Sequence, residues 1–249
     1  MNRGRELFIA GSADDLAREA AARLVEIAHR AINERGGCSL AVSGGSTPRR
    51  LYQLLTQPPY RQAIDWSRVH IFFADERYVP HDDPDSTARL IAETLLAGNP
   101  AIAPEQVHAM PTEGEPEASA ADYARTLATF FDGQPPAFDL ILLGMGPDGH
   151  TASLFPGRPD SDLSVAVVLD SPKPPPTRLT LTLPTIRAAR EILFLVTGAD
   201  KAATLEQIFH SDPDDNQALP AARVTGRDGR SMWLVDTDAG RGLHAFATL

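Results

Sequence analysis

Short, nearly continuous apolar segments alternate with helical patterns along this chain of 249 residues. The clearest of these segments is 138–145, which has Leu-Ile-Leu-Leu at its centre. A strand of this kind is apolar on both faces, so helices must cover both sides of its sheet. We therefore predict an α/β fold that forms a single domain over residues 1–249. Its core is a doubly wound, mainly parallel, Rossmann-like sheet with helices on both faces.

The same reasoning gives the individual elements. Strands are predicted at 7–10, 40–42, 69–74, 107–110, 138–145, 165–169, 178–183, 191–197 and 232–235. Helices are predicted from a cap at Ser12 to the Gly36-Gly37 stop, from Pro48 to Leu55, after a cap at Asp85 or Ser86, at 117–131 and at 201–209.

Composition excludes several classes of function. With 23 Lys+Arg against 33 Asp+Glu, the net charge of −10 argues against a broadly basic nucleic-acid-binding surface. No apolar stretch reaches the roughly 18 residues of a membrane span, and the N-terminal apolar run is too short for a signal peptide. The single cysteine, Cys38, lies in a predicted strand and is expected to be a core residue. We predict a cytoplasmic protein, a monomer or weak homo-oligomer, with no nucleic-acid or membrane partner.

Parallel sheets bind ligands at the carboxyl ends of their strands, so the loops that follow the strands carry the functional information. The first loop follows strand 40–42 and leads into a helix. Its glycines allow a tight turn, and its N–H and hydroxyl groups favour an anion at the helix N-terminus. We interpret it as a phosphate site, with a plain strand-to-helix turn as the alternative. The residues of this candidate site are Ser43, Gly44, Gly45, Ser46 and Thr47.

Charged residues follow two other strands. Asp75, Glu76 and Arg77 come directly after the apolar strand 69–74, where half-buried charges need partners. Lys201 stands at a helix start, where a cation is unfavourable unless an anion is bound. The alternatives are a solvated loop with an internal ion pair and a lysine that points to solvent.

The segment 144–156 contains a literal G-x-G-x-x-G, with Asp170 about 20 residues further on, as in dinucleotide-binding proteins. Asp148 would repel a pyrophosphate, however, and Pro156 limits any helix that starts here. A histidine next to a carboxylate fits acid–base chemistry better, which makes His150 and Asp148 candidate catalytic residues. A structural histidine is the alternative. Together the four loops predict a site for a phosphorylated small molecule, with hydrolysis or proton transfer centred on His150.

The motifs of these four loops resemble the 6-phosphogluconolactonase family, in the family's order, from the first strand to about Val224. The segment 144–156, which ends in Ser-Leu-Phe-Pro, is the most specific part. The related glucosamine-6-phosphate deaminases are similar in the first loop and in the segment 144–156, which is the third loop. They typically have Asp-Glu-Tyr at 75–77 and Asn-Glu-Pro-Gly after the histidine, so the lactonase resemblance is closer.

The resemblance implies hydrolysis of 6-phospho-D-glucono-1,5-lactone to 6-phosphogluconate in the oxidative pentose phosphate pathway. In that chemistry His150 acts as the general base, and Asp75 or Asp148 orients its imidazole or holds sugar hydroxyls. The first loop, Arg77 and Lys201 hold the phosphate, and loop N–H groups or Arg77 stabilise the oxyanion. No H-E-x-x-H motif is present, and we predict neither a required metal nor another cofactor.

Two positions match the family pattern less clearly. Thr87 stands where lactonases often have asparagine, which removes an amide contact. Arg223 lies in a late segment, 219–224, that also resembles the family, and we predict a substrate contact for it, with a surface arginine as the alternative. Three other functions remain open: an amino-sugar-phosphate isomerase-deaminase, a non-catalytic sugar-phosphate sensor and, more weakly, a dehydrogenase.

Overall fold

A seven-stranded parallel sheet forms the centre of the molecule. The computed structural model describes residues 4–215 and 217–246. The strand order is β1-β10-β9-β6-β2-β3-β5, and every pairing in the sheet is parallel. The strands are β1 (Arg5–Ala10), β2 (Cys38–Val42), β3 (Val69–Phe73), β5 (Val107–His108), β6 (Leu140–Leu143), β9 (Ile192–Val196) and β10 (Ser231–Asp236).

A second, antiparallel sheet has three strands in the order β4-β8-β7. These strands are β4 (Asp75–Arg77), β7 (Val165–Val168) and β8 (Arg178–Leu181). The helices are α1 (Ala13–Arg35), α2 (Ser46–Leu55), α3 (Tyr60–Ala63), α4 (Thr87–Ile91, continued by a π-helical turn at Ala92–Leu96), α5 (Pro116–Phe130), α6 (Leu183–Arg187), α7 (Ala202–His210) and α8 (Pro220–Arg223). Within the described residues, no helix is both long and apolar enough to cross a membrane.

Both faces of the parallel sheet are buried, as the apolar strands predict. Every residue of β2, β6 and β9 is buried, so both of their alternating side-chain sets are covered. On one face, Phe130 of α5 packs edge-on against Phe72, and Phe209 of α7 packs edge-on against Trp233. Cys38 is buried in β2, and burial raises the pKa of its thiol to about 12. This confirms that Cys38 is a core residue.

Capping residues in the sequence set the ends of several helices. The Ser12 hydroxyl accepts a hydrogen bond from the Asp15 N–H at 3.1 Å and begins α1, and Gly36 ends the helix with φ 82°. Ser86, rather than Asp85, caps α4 by accepting from the Arg89 N–H at 3.3 Å. These side-chain and glycine caps satisfy the free backbone groups at helix ends.

Two local predictions were wrong. The triplet 75–77 is not a loop but the strand β4, which turns out of the parallel sheet and pairs with β8. The strand predicted at 178–183 ends at Leu181, because α6 begins at Leu183 with a proline in its first turn. The helices α3, α6 and α8 were not predicted, since each has only four or five residues and carries little periodicity.

Candidate active site

The four predicted loops meet at one cavity of about 470 Å³ at the carboxyl edge of the parallel sheet. They converge because β2, β6 and β9 are neighbours in the sheet and the chain after β3 enters β4 beside them. The cavity is lined by Ser43, Gly44, Gly45, Ser46, Thr47, Pro48, Asp75, Arg77, Gly144, Met145, Gly146, Pro147, His150, Ala152, Lys173, Arg178, Leu195, Val196, Thr197, Asp200 and Lys201.

The first loop opens directly into α2. Gly45, the N-cap of α2, has φ 111°, a conformation that favours glycine. In the described structure no side chain of this N-cap accepts a hydrogen bond from the first N–H groups of α2. The Ser43 hydroxyl donates to the Leu142 carbonyl at 2.8 Å, so its proton is used within the fold rather than offered to a ligand. The Thr47 and Thr197 hydroxyls lie 2.9 Å apart and join this loop to the one after β9.

Arg77 and Thr87 pack directly against Gly44. A Cβ at Gly44 would lie 2.6 Å from the Thr87 hydroxyl and 3.0 Å from Arg77 Nη1, so only glycine fits here. Arg77 Nη1 donates to the Asp85 carbonyl at 2.9 Å. The Arg77 Nε and the Thr87 hydroxyl are buried without a hydrogen-bond partner among the described atoms. The arrangement brings a guanidinium to the glycine loop, as a phosphate site requires.

The third loop holds His150 against Asp148. His150 Nδ1 and Asp148 Oδ1 are 2.5 Å apart, and an ionised carboxylate accepts hydrogen bonds only, so Nδ1 carries the proton and Nε2 is left as the acceptor. Burial lowers the pKa of His150 below its ordinary value and nearby Lys173 lowers it further, whereas Asp148 opposes both effects. Burial disfavours ionisation of Asp148, but the hydrogen bond from His150 holds its pKa below the usual range.

Two glycines of this loop leave space for neighbouring side chains, and one of them, Gly146, lies against this pair. A Cβ at Gly146 would lie 2.1 Å from His150 Nδ1 and 2.5 Å from Asp148 Oδ1. Gly149 has φ 80°, and a Cβ there would lie 2.7 Å from Leu219. Gly146 and Gly149 therefore leave room for side chains, which is a different role from binding a pyrophosphate.

Strand β4, which was predicted as the second loop, divides its carboxylates between two tasks. Asp75 lines the cavity and accepts a hydrogen bond from the Ser153 hydroxyl at 2.8 Å. Glu76 is fully buried and accepts hydrogen bonds from the Thr87 and Ala88 N–H groups at 2.7 and 2.8 Å, which supports the start of α4. Burial raises the pKa of Glu76. Asp148, not Asp75, contacts the imidazole of His150.

Lys201 lines the cavity in an ion pair with Asp200. Two further cations, Lys173 and Arg178, line it as well, and the sequence motifs did not identify them. One signal could have found Lys173: the sequence has only two lysines among its 23 basic residues, and both lie at this cavity.

Arg223 lies elsewhere. Its side chain is absent from the cavity lining and forms a two-pronged ion pair with Asp160, at 3.1 and 2.5 Å. The segment around it contacts the third loop from behind, where the Ala221 N–H donates to the Gly149 carbonyl at 3.0 Å. Arg223 therefore does not lie in the cavity wall, so its side chain is not placed for the predicted substrate contact.

The geometry does not favour a dinucleotide site. No helix forms between Gly144 and Val165, a stretch that the structure describes throughout, so no helix N-terminus faces the glycines of this loop. Asp170 is on the surface in an ion pair with Arg158. In the part of the chain that the structure describes, no group of three or more His, Cys, Asp or Glu side chains is arranged to hold a metal ion.

Known proteins share this fold and much of this sequence. The model of the family described as glucosamine-6-phosphate isomerases/6-phosphogluconolactonase matches residues 11–233. A Synechocystis protein named 6-phosphogluconolactonase is 44% identical over 219 residues, covering 86% of this chain and 88% of the relative. One of the same name from Streptomyces coelicolor is 42% identical over 236 residues, covering 90% and 89%.

A crystal structure of 6-phosphogluconolactonase from Thermotoga maritima superposes with a TM-score of 0.82 at 30% identity, covering 93% of this chain and 99% of that one. The mainly parallel, doubly wound fold predicted from the apolar strands is therefore confirmed. The resemblance noted in the four loops is confirmed too, over most of the chain. The chain belongs to the glucosamine-6-phosphate isomerase/6-phosphogluconolactonase family.

Proposed function

We propose that this protein hydrolyses 6-phospho-D-glucono-1,5-lactone to 6-phosphogluconate, with His150 as the general base. The observation that carries the proposal is the hydrogen-bonded pair of His150 and Asp148 in the cavity wall. The names of the Synechocystis, Streptomyces and Thermotoga relatives support the substrate and the reaction. The same cavity offers a glycine loop and Arg77 for the phosphate.

The reaction consumes one water molecule. His150 Nε2 takes a proton from water as the water oxygen bonds to the lactone carbonyl carbon, and the π electrons move to the carbonyl oxygen. When the C=O bond re-forms, the bond between that carbon and the ring oxygen breaks, and the ring oxygen takes the proton from Nε2. The carboxylic acid that results releases its own proton to solvent. Asp148 keeps Nδ1 protonated and stabilises the imidazolium between the two steps.

Substrate binding divides between the walls of the cavity. The N–H groups at the start of α2 and the Arg77 guanidinium hold the phosphate, aided by Ser46, Thr47 and Lys201. Asp75 is free to accept a sugar hydroxyl through the oxygen that does not bond Ser153. The location of Arg223 gives it no direct part in this scheme.

The direct test replaces the base. His150→Ala and His150→Gln are assayed on freshly made lactone by NMR, with subtraction of spontaneous hydrolysis. We expect kcat to fall at least about 100-fold, as for loss of a general base. His210→Gln is the matched control, because this exposed histidine of α7 lies outside the cavity lining. Near wild-type turnover in a folded His150 variant would overturn the proposal.

The same samples separate the other candidate functions. Ammonia release from glucosamine 6-phosphate would indicate a deaminase, and tight sugar-phosphate binding without turnover would indicate a sensor. The cytoplasmic location and the monomeric or weakly associated state stay predictions, which fractionation and sedimentation would test.

A further inference from the structure

Lys173 projects into the cavity from the proline-rich loop between β7 and β8. The sequence indicates only a loop here, because prolines at 172 and 174–176 prevent regular structure. The backbone of Lys173 is nevertheless fixed at both of its polar groups. Its N–H donates to the Ser171 hydroxyl at 3.2 Å, and its carbonyl accepts from the Ser171 hydroxyl at 2.8 Å and from Arg178 Nη2 at 3.1 Å.

Arg178 holds this loop by hydrogen bonds to its backbone carbonyls. Besides the Lys173 carbonyl, its guanidinium donates to the Pro174 and Pro175 carbonyls at 3.1 and 3.3 Å. Arg178 is buried at the first position of β8, where it pairs in register with Arg77 of β4. The small antiparallel sheet therefore carries the Lys173 loop to the cavity and holds it there.

The ammonium group of Lys173 stands beside the reacting pair, in a long ion pair with Asp148 and without a hydrogen bond. Lys173 Nζ is 3.9 Å from Asp148 Oδ1, the oxygen that already accepts from His150. That distance is too long for a hydrogen bond, so the ammonium protons remain available. Lys201, by contrast, is in an ion pair with Asp200, and Arg77 lies against Gly44 of the first loop.

The cations of the cavity thus fall into two places, and the chemistry distinguishes them. The lactone carries its charge on the phosphate, whereas attack by the water that His150 deprotonates creates a second negative charge on the carbonyl oxygen. We propose that Lys173 holds this new charge, first as the oxyanion on the carbonyl oxygen and then as the product carboxylate. The inference rests on the proposed function, since it takes its orientation from water delivery by His150.

Kinetics give the first test. In Lys173→Met we expect kcat for lactone hydrolysis to fall about 100-fold with little change in KM, as for loss of an oxyanion donor. Lys173→Arg, which keeps the charge, restores part of kcat. Arg77→Met changes mainly KM. Since Lys173 lowers the pKa of His150 and Asp148 and Asp75 raise it, Lys173→Met also moves the acidic limb of the pH profile to higher pH, which loss of loop support alone would not do.

Binding gives the second test, by calorimetry with two ligands. 6-Phosphogluconate has a phosphate and a carboxylate, and glucitol 6-phosphate has the phosphate alone. Lys173→Met is expected to weaken 6-phosphogluconate binding about 10-fold or more and to leave glucitol 6-phosphate binding unchanged. Lys201→Met, which removes the other amine, and Arg77→Met are the matched variants and should weaken both ligands. Unfolding curves of each variant identify any that fail to fold, and Lys173→Gln then replaces Lys173→Met.

The outcomes separate the two proposals. Equal weakening of both ligands by Lys173→Met would place the lysine at the phosphate, and no effect on kcat or on either ligand would remove it from the site. Either result overturns the inference while lactone hydrolysis by the wild-type protein stands. If the wild-type protein does not hydrolyse the lactone but the carboxylate-specific loss is seen, the proposed function fails and the charge assignment holds.

Discussion

The two ends of the parallel sheet both collect charged residues but use them differently. At the amino end, Arg30 pairs with Glu191 at 2.6 Å, and Asp139 accepts from Arg35 at 2.9 Å and from the Ser39 N–H at 2.8 Å. The four charged residues of this group line a smaller cavity of about 230 Å³. At the carboxyl end, Lys173 and the buried Nε of Arg77 have no hydrogen-bond partner among the described atoms. At the first end the charges pair with one another, even where Arg190 Nε lies 3.4 Å from Asp139 Oδ1 without a hydrogen bond. At the second end the Lys173 ammonium and the Arg77 Nε keep donors that no described atom accepts, beside a larger cavity.

This difference teaches that charge density alone does not mark a site. Asp139 is buried and its two oxygens bridge α1, β2 and the start of β6, so its value is structural. Asp148 is half-buried, and it accepts a hydrogen bond from the His150 imidazole and so fixes the orientation of that ring. Substitutions at the two ends should therefore separate into losses of stability and losses of activity.

The largest expected effect comes from Gly146→Ala at the carboxyl end. The new Cβ would lie within about 2 Å of the His150 ring, so the imidazole must move away from Asp148. We expect kcat to fall about 100-fold or more, as when the general base is lost. Gly11→Ala is the control, because its Cβ meets only Asp15 Oδ2 at 3.4 Å and it lies outside the cavity lining. Wild-type turnover in Gly146→Ala would mean that the pairing is not needed.

Asp139→Ala should reduce stability and leave activity unchanged. It leaves Arg35 Nε and the Ser39 N–H without their acceptor, and we expect about 2–4 kcal/mol to be lost from the free energy of unfolding. The kcat of the folded fraction should not change. Urea unfolding measures the loss, and Asp14→Ala is the control because its ion pair with Arg50 is exposed and contributes less than about 1 kcal/mol. A fall in kcat without a fall in stability would break the contrast between the two ends.

The smallest effect is a displacement of the pH profile. Burial lowers the pKa of His150, and the base works only when neutral, so activity is retained as pH falls to the ordinary imidazole value of about 6.5. We expect the acidic limb of kcat/KM below that value, with a tenfold loss per pH unit beyond it. Initial rates in buffers of constant ionic strength measure the limb. A midpoint above 6.5 would show that Asp148 outweighs burial.

Much of the fold and of the cavity could be predicted from sequence, because a parallel sheet places the carboxyl ends of its strands together. Once 40–42, 138–145 and 191–197 are recognised as strands, the glycine loop, His150 and Lys201 must share one edge. Lys173 could not be found in this way. Its position depends on the pairing of β8 with β4, a long-range contact in a separate sheet that local patterns do not encode.

Finer assignments also required atoms. Sequence offered Asp75 and Asp148 equally as partners of His150, and only the fold of the third loop chooses between them. It counted the Ser43 hydroxyl as a phosphate donor, although a neighbouring strand takes up that proton. Hydrogen bonds of this kind depend on strand neighbours about 100 residues away in sequence, which no motif reports.

The restriction of lysine to the cavity has a practical consequence. The remaining 21 basic side chains are arginines, which amine-directed reagents do not modify. Coupling to a resin, a fluorophore or a cross-linker through side-chain amines would therefore take place at the mouth of the substrate cavity. Attachment through the many surface carboxylates would leave that mouth open.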